Sequence, residues 1–487
     1  MTANARYSHA SLSLRCLIAA LGPPASRTVL LEAVLEEKPS DLAERILRCG
    51  AKVVLFSVHI WNTELLTETA ALLRRLRPDL RLVAGGPEVS HNPASHPIFE
   101  WVDHMVCGEG EETVGPLTEA LLSGKDAFQK IIVAPPADLS AVPLPYDLYT
   151  DEDLRHRVLY METSRGCPLG CEFCLSSLDT KVRCYPEEKI IQALETLWQR
   201  GARQFKFIDR ALHLGATDAL FDFFEPRAND GLFLHFELIP DRLSARLLNR
   251  LRAFPKGAVQ VEAGIQTLNE AVSARISRKQ NNEKALATLR TLRETTGVHI
   301  HADLVIGLPG ENLESFAAGF DTLYRLGLHE IQVGILKRLR GAPIARHDAE
   351  WKMVYNPRPP YDILETADID FETMQSLKRF AKFFDLVCNR GNFRALVPRL
   401  IGDASPFAQL SRLSARLYEQ TGRTHGIALG RLASLLETYA VEVAGIPAEE
   451  AADLMLESFR LAGRGTGRRG TVSPGPSRLP SRQNRHL

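Results

Sequence analysis

Short apolar runs alternate with amphipathic stretches from about residue 28 to about residue 340, and this alternation constrains the fold more than any other feature of the chain. In the first third the runs are Thr28 to Leu31, Lys52 to Val58 and Leu80 to Ala84, with helical patterns near Asp41 to Cys49 and Leu65 to Leu76. Such alternation predicts a parallel sheet covered by helices on both faces. Ligands of these sheets bind beyond the carboxyl ends of the strands. From Val158 to Leu339 six further strand-then-helix units follow, with strands near 158–163, 204–209, 232–239, 258–265, 298–306 and 330–336. The helices include Glu187 to Arg200, Ser244 to Ala253, Glu283 to Thr295 and Leu313 to Leu326. Right-handed crossovers would close them into a partial (β/α)6 barrel with its chemistry at the strand C-termini.

The loop after the first barrel strand, residues 163–177, carries Cys167, Cys171 and Cys174 in a C-x3-C-x2-C spacing. Three thiolates are one fewer than a closed structural zinc site requires. A four-iron cluster takes one cysteine per iron, so three ligands leave one iron open to a small molecule. Gly166, Pro168 and Gly170 suit a backbone that wraps closely around such a cluster. A zinc knuckle that borrows Cys184 as fourth ligand is the alternative.

This loop resembles that of the radical SAM superfamily, in which S-adenosylmethionine chelates the open iron. The later strand ends are similar too. Phe236-Glu237-Leu238-Ile239-Pro240-Asp241 resembles the third-strand segment, Gly264-Ile265-Gln266-Thr267 the fourth, and Asp303 to Glu311 the D-L-V-I-G-L-P-G-E of the fifth. The resemblance implies that Glu237 meets the ammonium of S-adenosylmethionine, Arg278 its carboxylate, and Gln266 and Asp303 its ribose. The same pattern serves in enzymes resembling the oxygen-independent coproporphyrinogen oxidase. Asp209 stands where the family has a G-G-E turn near the methionine amine.

Three strand ends of the first third carry Ser57 to Asn62, then Gly85-Gly86-Pro87-Glu88, then Gly108-Glu109-Gly110. Placed ahead of the cysteine loop, they resemble the cobalamin-binding domain of cobalamin-dependent radical SAM enzymes. Ser57, Trp61, Gly85, Gly86, Glu88, Gly108 and Glu109 are the residues this implies for cobalamin. The D-x-H-x-x-G motif that supplies a lower cobalt ligand elsewhere is absent, and His9 and His59 are expected as hydrogen-bonded neighbours of strand ends. Asn4 to His9 followed by a helix from Leu12 to Leu21 looks like the loop and helix after a first strand, so the sheet is expected to lack that strand or to begin upstream.

A second resemblance, to the methylthiotransferases, would place a second cluster on Cys16, Cys49 and Cys107. Their flanks favour buried thiols acting as small apolar residues.

The expected fold class is thus α/β: an N-terminal Rossmann-like cobalamin-binding domain over 1–135, a proline-rich linker over 136–157, a radical SAM barrel over 158–345 and a helical C-terminal domain over 362–463. The last is expected to cap the barrel mouth or to be a plain structural bundle. Residues 464–487 hold six arginines and no acid, the composition of a disordered basic tail, with RNA binding as the alternative. Lys+Arg and Asp+Glu balance at 59 each, so charge directs the chain to neither nucleic acid nor membrane. The lack of a long apolar run and the scattered remaining cysteines fit a cytoplasmic protein.

The implied chemistry is reductive cleavage of S-adenosylmethionine at a [4Fe-4S] cluster, with an electron donor such as flavodoxin or ferredoxin. A substrate carbon, on a small molecule or peptide, is then activated for methyl transfer from cobalamin. Cobalamin-assisted rearrangement or cyclisation, or a non-catalytic cofactor-binding protein, are the other expectations.

Overall fold

The computed structural model describes residues 1–212 and 215–463, with two short strands at Gly465–Thr466 and Val472–Ser473. Apart from those four residues the basic tail lies outside the described residues. The chain divides into two compact units. The first comprises Met1–Glu237, Lys337–Ala345 and Asn356–Asp362; the second comprises Leu238–Leu336, Arg346–Tyr355 and the chain from Ile363 on.

In the first unit the N-terminal sheet is built from β1 (Thr2–Asn4), α1 (Leu12–Ala20), β2 (Glu32–Val34), α2 (Pro39–Arg48), β3 (Val53–Ser57), α3 (Thr63–Leu76), β4 (Arg81–Gly85), β5 (His104–Cys107), α4 (Val114–Ser123) and β6 (Ile131–Val133). Strands β3-β4-β5-β6 pair in that order, all parallel, and β1 pairs parallel with β2. The two ladders join because Ser57 N donates to Met1 O at 2.9 Å and Thr2 Oγ1 to Ser57 O at 3.0 Å. The spatial order is therefore β2-β1-β3-β4-β5-β6, and the connections turn in opposite directions on either side of β1 and β3. This is the topological switch point at which doubly wound sheets bind ligands.

Two expectations are corrected here. A first strand is present, hidden because Thr2 and Asn4 are polar and are buried through hydrogen bonds, Asn4 Nδ2 donating to His9 O at 2.7 Å and Glu32 Oε1 at 3.0 Å. The strand expected at Thr28 to Leu31 begins only at Glu32, after a 3-10 turn over Pro23–Arg27.

The proline-rich connector stays irregular to Pro145 and then folds into a 3-10 turn at Tyr146–Leu148 and α5 (Asp151–His156), whose Thr150 and Asp153 form a capping box. Asp153 and Glu32 enclose two arginines: Arg15 lies 2.8 Å from Asp153 and 3.2 Å from Glu32, and Arg157 lies 3.2 Å and 2.6 Å from them. Burial pushes the Glu32 carboxyl up, but Arg15, the Ser11 N–H and Arg157 outweigh it and hold it below the usual range. Asp153 is likewise pushed up by burial and held down by the Thr150 N–H and Arg15. A depressed carboxyl contributes stability above its unfolded pKa and loses it as pH falls through the folded value. Unfolding midpoints should therefore drop below about pH 4, and Glu32→Gln should flatten that acid limb in a denaturant titration.

The first unit continues through β7 (Leu159–Met161), β8 (Ser164–Arg165), β9 (Arg183–Cys184), α6 (Glu187–Gln199), β10 (Gln204–Phe207), α7 (Thr217–Phe224) and β11 (Phe233–Leu238). Strand β10 pairs parallel with both β7 and β11.

The second unit holds α8 (Ala245–Leu251), β12 (Val259–Gln266), α9 (Glu270–Arg275), α10 (Asn282–Thr295), β13 (His299–Ile306), α11 (Leu313–Arg325) and β14 (Glu330–Ile335), with β12-β13-β14 all parallel. The six strands expected of the barrel are thus present in chain order. On β13 the apolar Ile300, Ala302, Leu304 and Ile306 are buried on one face, leaving His301 and Asp303 on the other.

After a short ladder of β15 (Val354–Tyr355) and β16 (Ile363–Glu365) come α12 (Phe371–Phe384), α13 (Leu396–Ile401), α14 (Pro406–Thr421), α15 (Leu429–Glu442) and α16 (Ala448–Leu461). Within the second unit these helices attach to α11 and to the β14 side of β12-β13-β14. Phe320 of α11 packs edge-on against Phe380 at 5.1 Å and Phe384 at 5.0 Å, and Asp321 accepts from Phe407 N at 2.6 Å. Asn389, just past α12, donates to Ile331 O at 2.9 Å and accepts from Ile331 N at 3.2 Å, satisfying the edge of β14. Phe320→Ala should lower stability by about 3–5 kcal/mol in a urea melt; a loss under about 1 kcal/mol would show that this aromatic cluster does not hold the bundle.

Candidate functional site

The cysteine loop is an excursion from a two-stranded clamp, with Ser164 opposite Cys184 and Arg165 opposite Arg183. Gly166 at its root has φ +92, and a Cβ there would stand 2.3 Å from Lys181 O, so only glycine closes the clamp. Cys167 N donates to Asp179 O at 2.8 Å, Cys174 N to Cys171 O at 3.0 Å, and Ser177 Oγ to Cys174 O at 2.7 Å. Cys167 and Cys171 are buried and Cys174 is half-buried. Burial pushes the Cys167 thiol up, and Cys174 and Cys171 add to the shift, so the three sulfurs lie within electrostatic range of one another. Among the described residues no three His, Cys, Asp or Glu side chains are drawn together at one point. Cys184 is exposed on β9. A donor set spread over one loop suits a cluster that takes one thiolate per iron.

Arg165 ties this loop to the N-terminal sheet. It lies 3.0 Å from Glu109, 2.7 Å from Glu111 and 2.7 Å from Glu162, and Arg183 lies 2.5 Å from Glu109 and 2.8 Å from Asp179. Tyr185 OH donates to Glu162 at 2.7 Å. Burial opposes the charge on Arg165, but Glu162 and Glu111 outweigh it and hold the guanidinium protonated. Glu109, assigned to cobalamin by resemblance, is engaged here: its carboxylate also accepts from Ala137 N at 2.9 Å. Nothing in the sequence marked Arg165 beyond its place two residues before Cys167.

At the switch point, Ser57 is buried with its Oγ 3.1 Å from His59 Nε2. His59 stacks on Trp61 at 4.5 Å, and Trp61 remains 49% exposed while donating to Ala3 O at 3.1 Å. Burial lowers His59 to about 4, so the imidazole is neutral at pH 7. His9 bonds to Tyr160, as expected of a strand-end neighbour. The glycines divide. A Cβ on Gly86 would meet Val58 O at 2.5 Å and one on Gly108 would meet Ala134 O at 2.7 Å, so packing alone demands both; Gly85 has ordinary contacts. Glu88 is buried with its Oε1 unpartnered.

Asp209 accepts from Thr163 N at 3.0 Å, Thr163 Oγ1 at 2.6 Å and Ser164 Oγ at 2.5 Å, bracing the segment between β7 and the cysteine loop. Burial pushes its carboxyl up. Glu237 is half-buried and lines a small cleft with Thr163, Phe207 and Phe236.

In the second unit Gln266 sits at φ +67 where the β12–β13 register shifts. A Cβ on Gly264 would stand 2.7 Å from its Nε2, and the Arg278 guanidinium donates to Gly264 O. Asp303 lies 3.3 Å from Gln332 Nε2 and 3.4 Å from His301 Nε2. Glu311, part of the fifth-strand motif, fixes the same bend by accepting from Thr267 Oγ1 at 2.6 Å. Burial pushes Glu311 up to about 7. A raised carboxyl loses its stabilising contribution as pH rises through the folded pKa. Glu311→Gln should therefore gain stability over the native chain between pH 5 and 8, on the order of 2 kcal/mol, in melts run at both values.

The thiols of the methylthiotransferase reading are separated. Cys16 is buried 4.0 Å from Glu162, Cys107 is buried with Sγ 3.4 Å from Val89 O, and Cys49 is exposed beside Arg45 O. Cys49 thus departs from the buried role expected of all three.

Comparison with known proteins matches residues 1–117 to the B12 binding domain, 161–323 to the radical SAM superfamily and 349–455 to a protein family of unknown function (DUF4080). The chain is 26% identical over 380 residues to the 2-(S-pantetheinyl)-carbapenam-3-carboxylate methyltransferase of Streptantibioticus cattleyicolor, covering 66% of this chain and 53% of that protein. It spans about half the length of that curated relative. Among solved structures, the radical S-adenosylmethionine methyltransferase TsrM from Kitasatospora setae, with cobalamin and [4Fe-4S] cluster bound, aligns with TM-score 0.58 at 18% identity, covering 72% of this chain and 77% of that one. The cobalamin-dependent S-adenosylmethionine radical enzyme OxsB with aqua-cobalamin bound aligns with TM-score 0.61 at 13% identity, covering 93% of this chain and 77% of that one. The chain thus combines a match to the B12 binding domain over residues 1–117 with a match to the radical SAM superfamily over residues 161–323.

Proposed function

We propose that the protein is a cobalamin-dependent radical SAM methyltransferase that activates an unreactive carbon. The observation that carries the reading is the placement of a three-cysteine loop and a B12-type switch point in one compact unit, joined through Arg165. When bound, a [4Fe-4S] cluster supplies the electron that cleaves S-adenosylmethionine and cobalamin supplies the methyl group for transfer.

Cys167, Cys171 and Cys174 would hold the cluster, with Gly166 and the Asp179 carbonyl fixing the loop. Glu237, Gln266, Arg278 and Asp303 would hold S-adenosylmethionine, and Glu311 keeps the Gln266 bend in place. Asp209 acts on the loop rather than on the nucleotide, given its four hydrogen bonds to Thr163 and Ser164. Trp61, Ser57, Gly85 and Glu88 would meet cobalamin at the switch point, whereas Gly86, Gly108 and Glu109 shape that face from behind. An apolar cavity of about 310 Å³ lined by Leu14 and Ile18 of α1, Val53 and Leu55 of β3 and Leu122 supports the reading, being roomy enough for the aromatic base of the cofactor's nucleotide tail.

Among the described residues no helix is long and apolar enough to cross a membrane; we place the protein in the cytoplasm, with a flavodoxin- or ferredoxin-class reductant. Anaerobically reconstituted protein should contain iron and cobalt together and form 5'-deoxyadenosine from S-adenosylmethionine under strong reductant. Label from methyl-labelled S-adenosylmethionine should appear on cobalamin. Zinc in place of iron, or no cobalamin uptake, overturns the reading.

A further inference from the structure

The loop after β4 and the segment after β14 form a polar cluster within the first unit. Arg340 falls in none of the matched domains, and Glu88 and His96 lie within the B12 binding match. The Arg340 guanidinium donates to Asn92 O at 2.9 Å and to Ser95 Oγ, so residues 88–96 curve around it. Its charge reaches Glu88, His96 and Tyr361, and the Tyr361 hydroxyl hydrogen-bonds to both Glu88 and Arg340. Tyr361 is held at φ +56, a costly backbone for an aromatic residue and one that tends to mark functional sites.

Three polar atoms in this cluster lack a partner: Glu88 Oε1, His96 Nε2 and Arg340 Nε. Glu88 is only 4% exposed and His96 2%. His96 Nδ1 accepts from Ile98 N at 3.1 Å, so it carries no proton, and the neutral ring must bear its hydrogen on Nε2. The unsatisfied set is therefore two N–H donors and one carboxyl oxygen. Leaving such groups unmade costs about 1–3 kcal/mol each, a cost that a ligand would relieve.

A primary carboxamide is the complement of this set. Its carbonyl oxygen has two lone pairs for the two donors, and its NH2 group donates to the carboxyl. A carboxylate would face Glu88 with like charge, and a lone hydroxyl could meet the three groups only if all converged on its one oxygen, whereas the amide meets them at two separate atoms.

We propose that Glu88, His96 and Arg340 form a subsite for a primary carboxamide, occupied by one of the amide side chains on the rim of the corrin. The proposal rests on the cobalamin reading above and adds Arg340, together with Tyr361, from outside the B12 match. The test is an absorbance titration of the cluster-loaded protein, without substrate, with cobalamin and with its monocarboxylic acid isomers, each bearing one rim amide converted to a carboxylic acid. One isomer should bind at least about tenfold more weakly than cobalamin. Glu88→Gln, which can still accept from Tyr361 and can donate to the carboxylate, should restore that isomer and leave the others unchanged.

Equal affinity for all isomers overturns the proposal, as does an isomer preference that Glu88→Gln does not move. An amide of the organic substrate, the other source of the same chemistry, would give that first outcome together with a changed substrate KM in Glu88→Gln. Failure to bind cobalamin itself would instead sink the proposed function.

Discussion

Cys167→Ala should abolish S-adenosylmethionine cleavage, lowering 5'-deoxyadenosine formation by at least about a thousandfold, or roughly 4 kcal/mol in the transition state. The expectation follows from the loop's construction. Cys167 is buried, its N–H is fixed to Asp179 O at 2.8 Å, and the backbone before it is locked by Gly166. The other thiol on the clamp, Cys184, is an exposed residue on β9, outside the loop. Iron content and the electron paramagnetic resonance of the reduced protein should fall together with product, while the thermal midpoint of the cluster-free protein moves little. Retained turnover in any one of the three single variants, at Cys167, Cys171 or Cys174, would show that the loop does not house the chemistry.

The second large effect is expected at Arg165. Removing one partner of a buried ion pair leaves uncompensated charge and costs about 3–5 kcal/mol. Arg165→Leu would leave Glu162 and Glu111 without this guanidinium at 10% and 6% side-chain exposure, while Arg183 stays engaged by Glu109, Asp179 and Ala137 O. Arg165→Lys keeps the charge and loses the forked geometry, so it should cost less than half as much. The measurement is urea unfolding with hydrogen exchange of residues 163–184. Arg165→Leu should speed exchange in that segment even without cofactors. A protein as stable as the native chain, with the segment's protection unchanged, would show that the carboxylates find other partners and that Arg165 does not join the two modules.

Much of this was legible in the chain, for physical reasons that differ from place to place. The barrel strands announce themselves because apolar residues recur at alternate positions, as at Val259, Val261, Ala263 and Ile265 of β12, and each lies within a few residues of its expected place. The cysteine spacing and the fifth-strand motif were equally plain. Strand β1 was not legible, because Thr2 and Asn4 are buried by hydrogen bonding to Ser57, His9 and Glu32, and a three-residue polar strand has no apolar signature. The pairing of Glu109 was not legible either, because an acid at a strand end looks the same whether it meets a ligand or a guanidinium. Only the approach of Arg165 and Arg183 decides it. The cluster of Glu88, His96, Arg340 and Tyr361 joins residues more than two hundred positions apart, and no local pattern could have announced it. The attachment of the C-terminal helices to α11 rested on Phe320 and Asp321, whose partners lie in another part of the chain.

Asn389 carries a consequence for assembly. Its side-chain amide gives to and takes from the same main-chain residue, Ile331, imitating the pairing that a neighbouring polypeptide would offer. An exposed flank of this kind is ordinarily a template for edge-to-edge association. With that position already spoken for, a second copy of the chain meets no free main-chain pair at Ile331 through which to prolong the ladder beside β14.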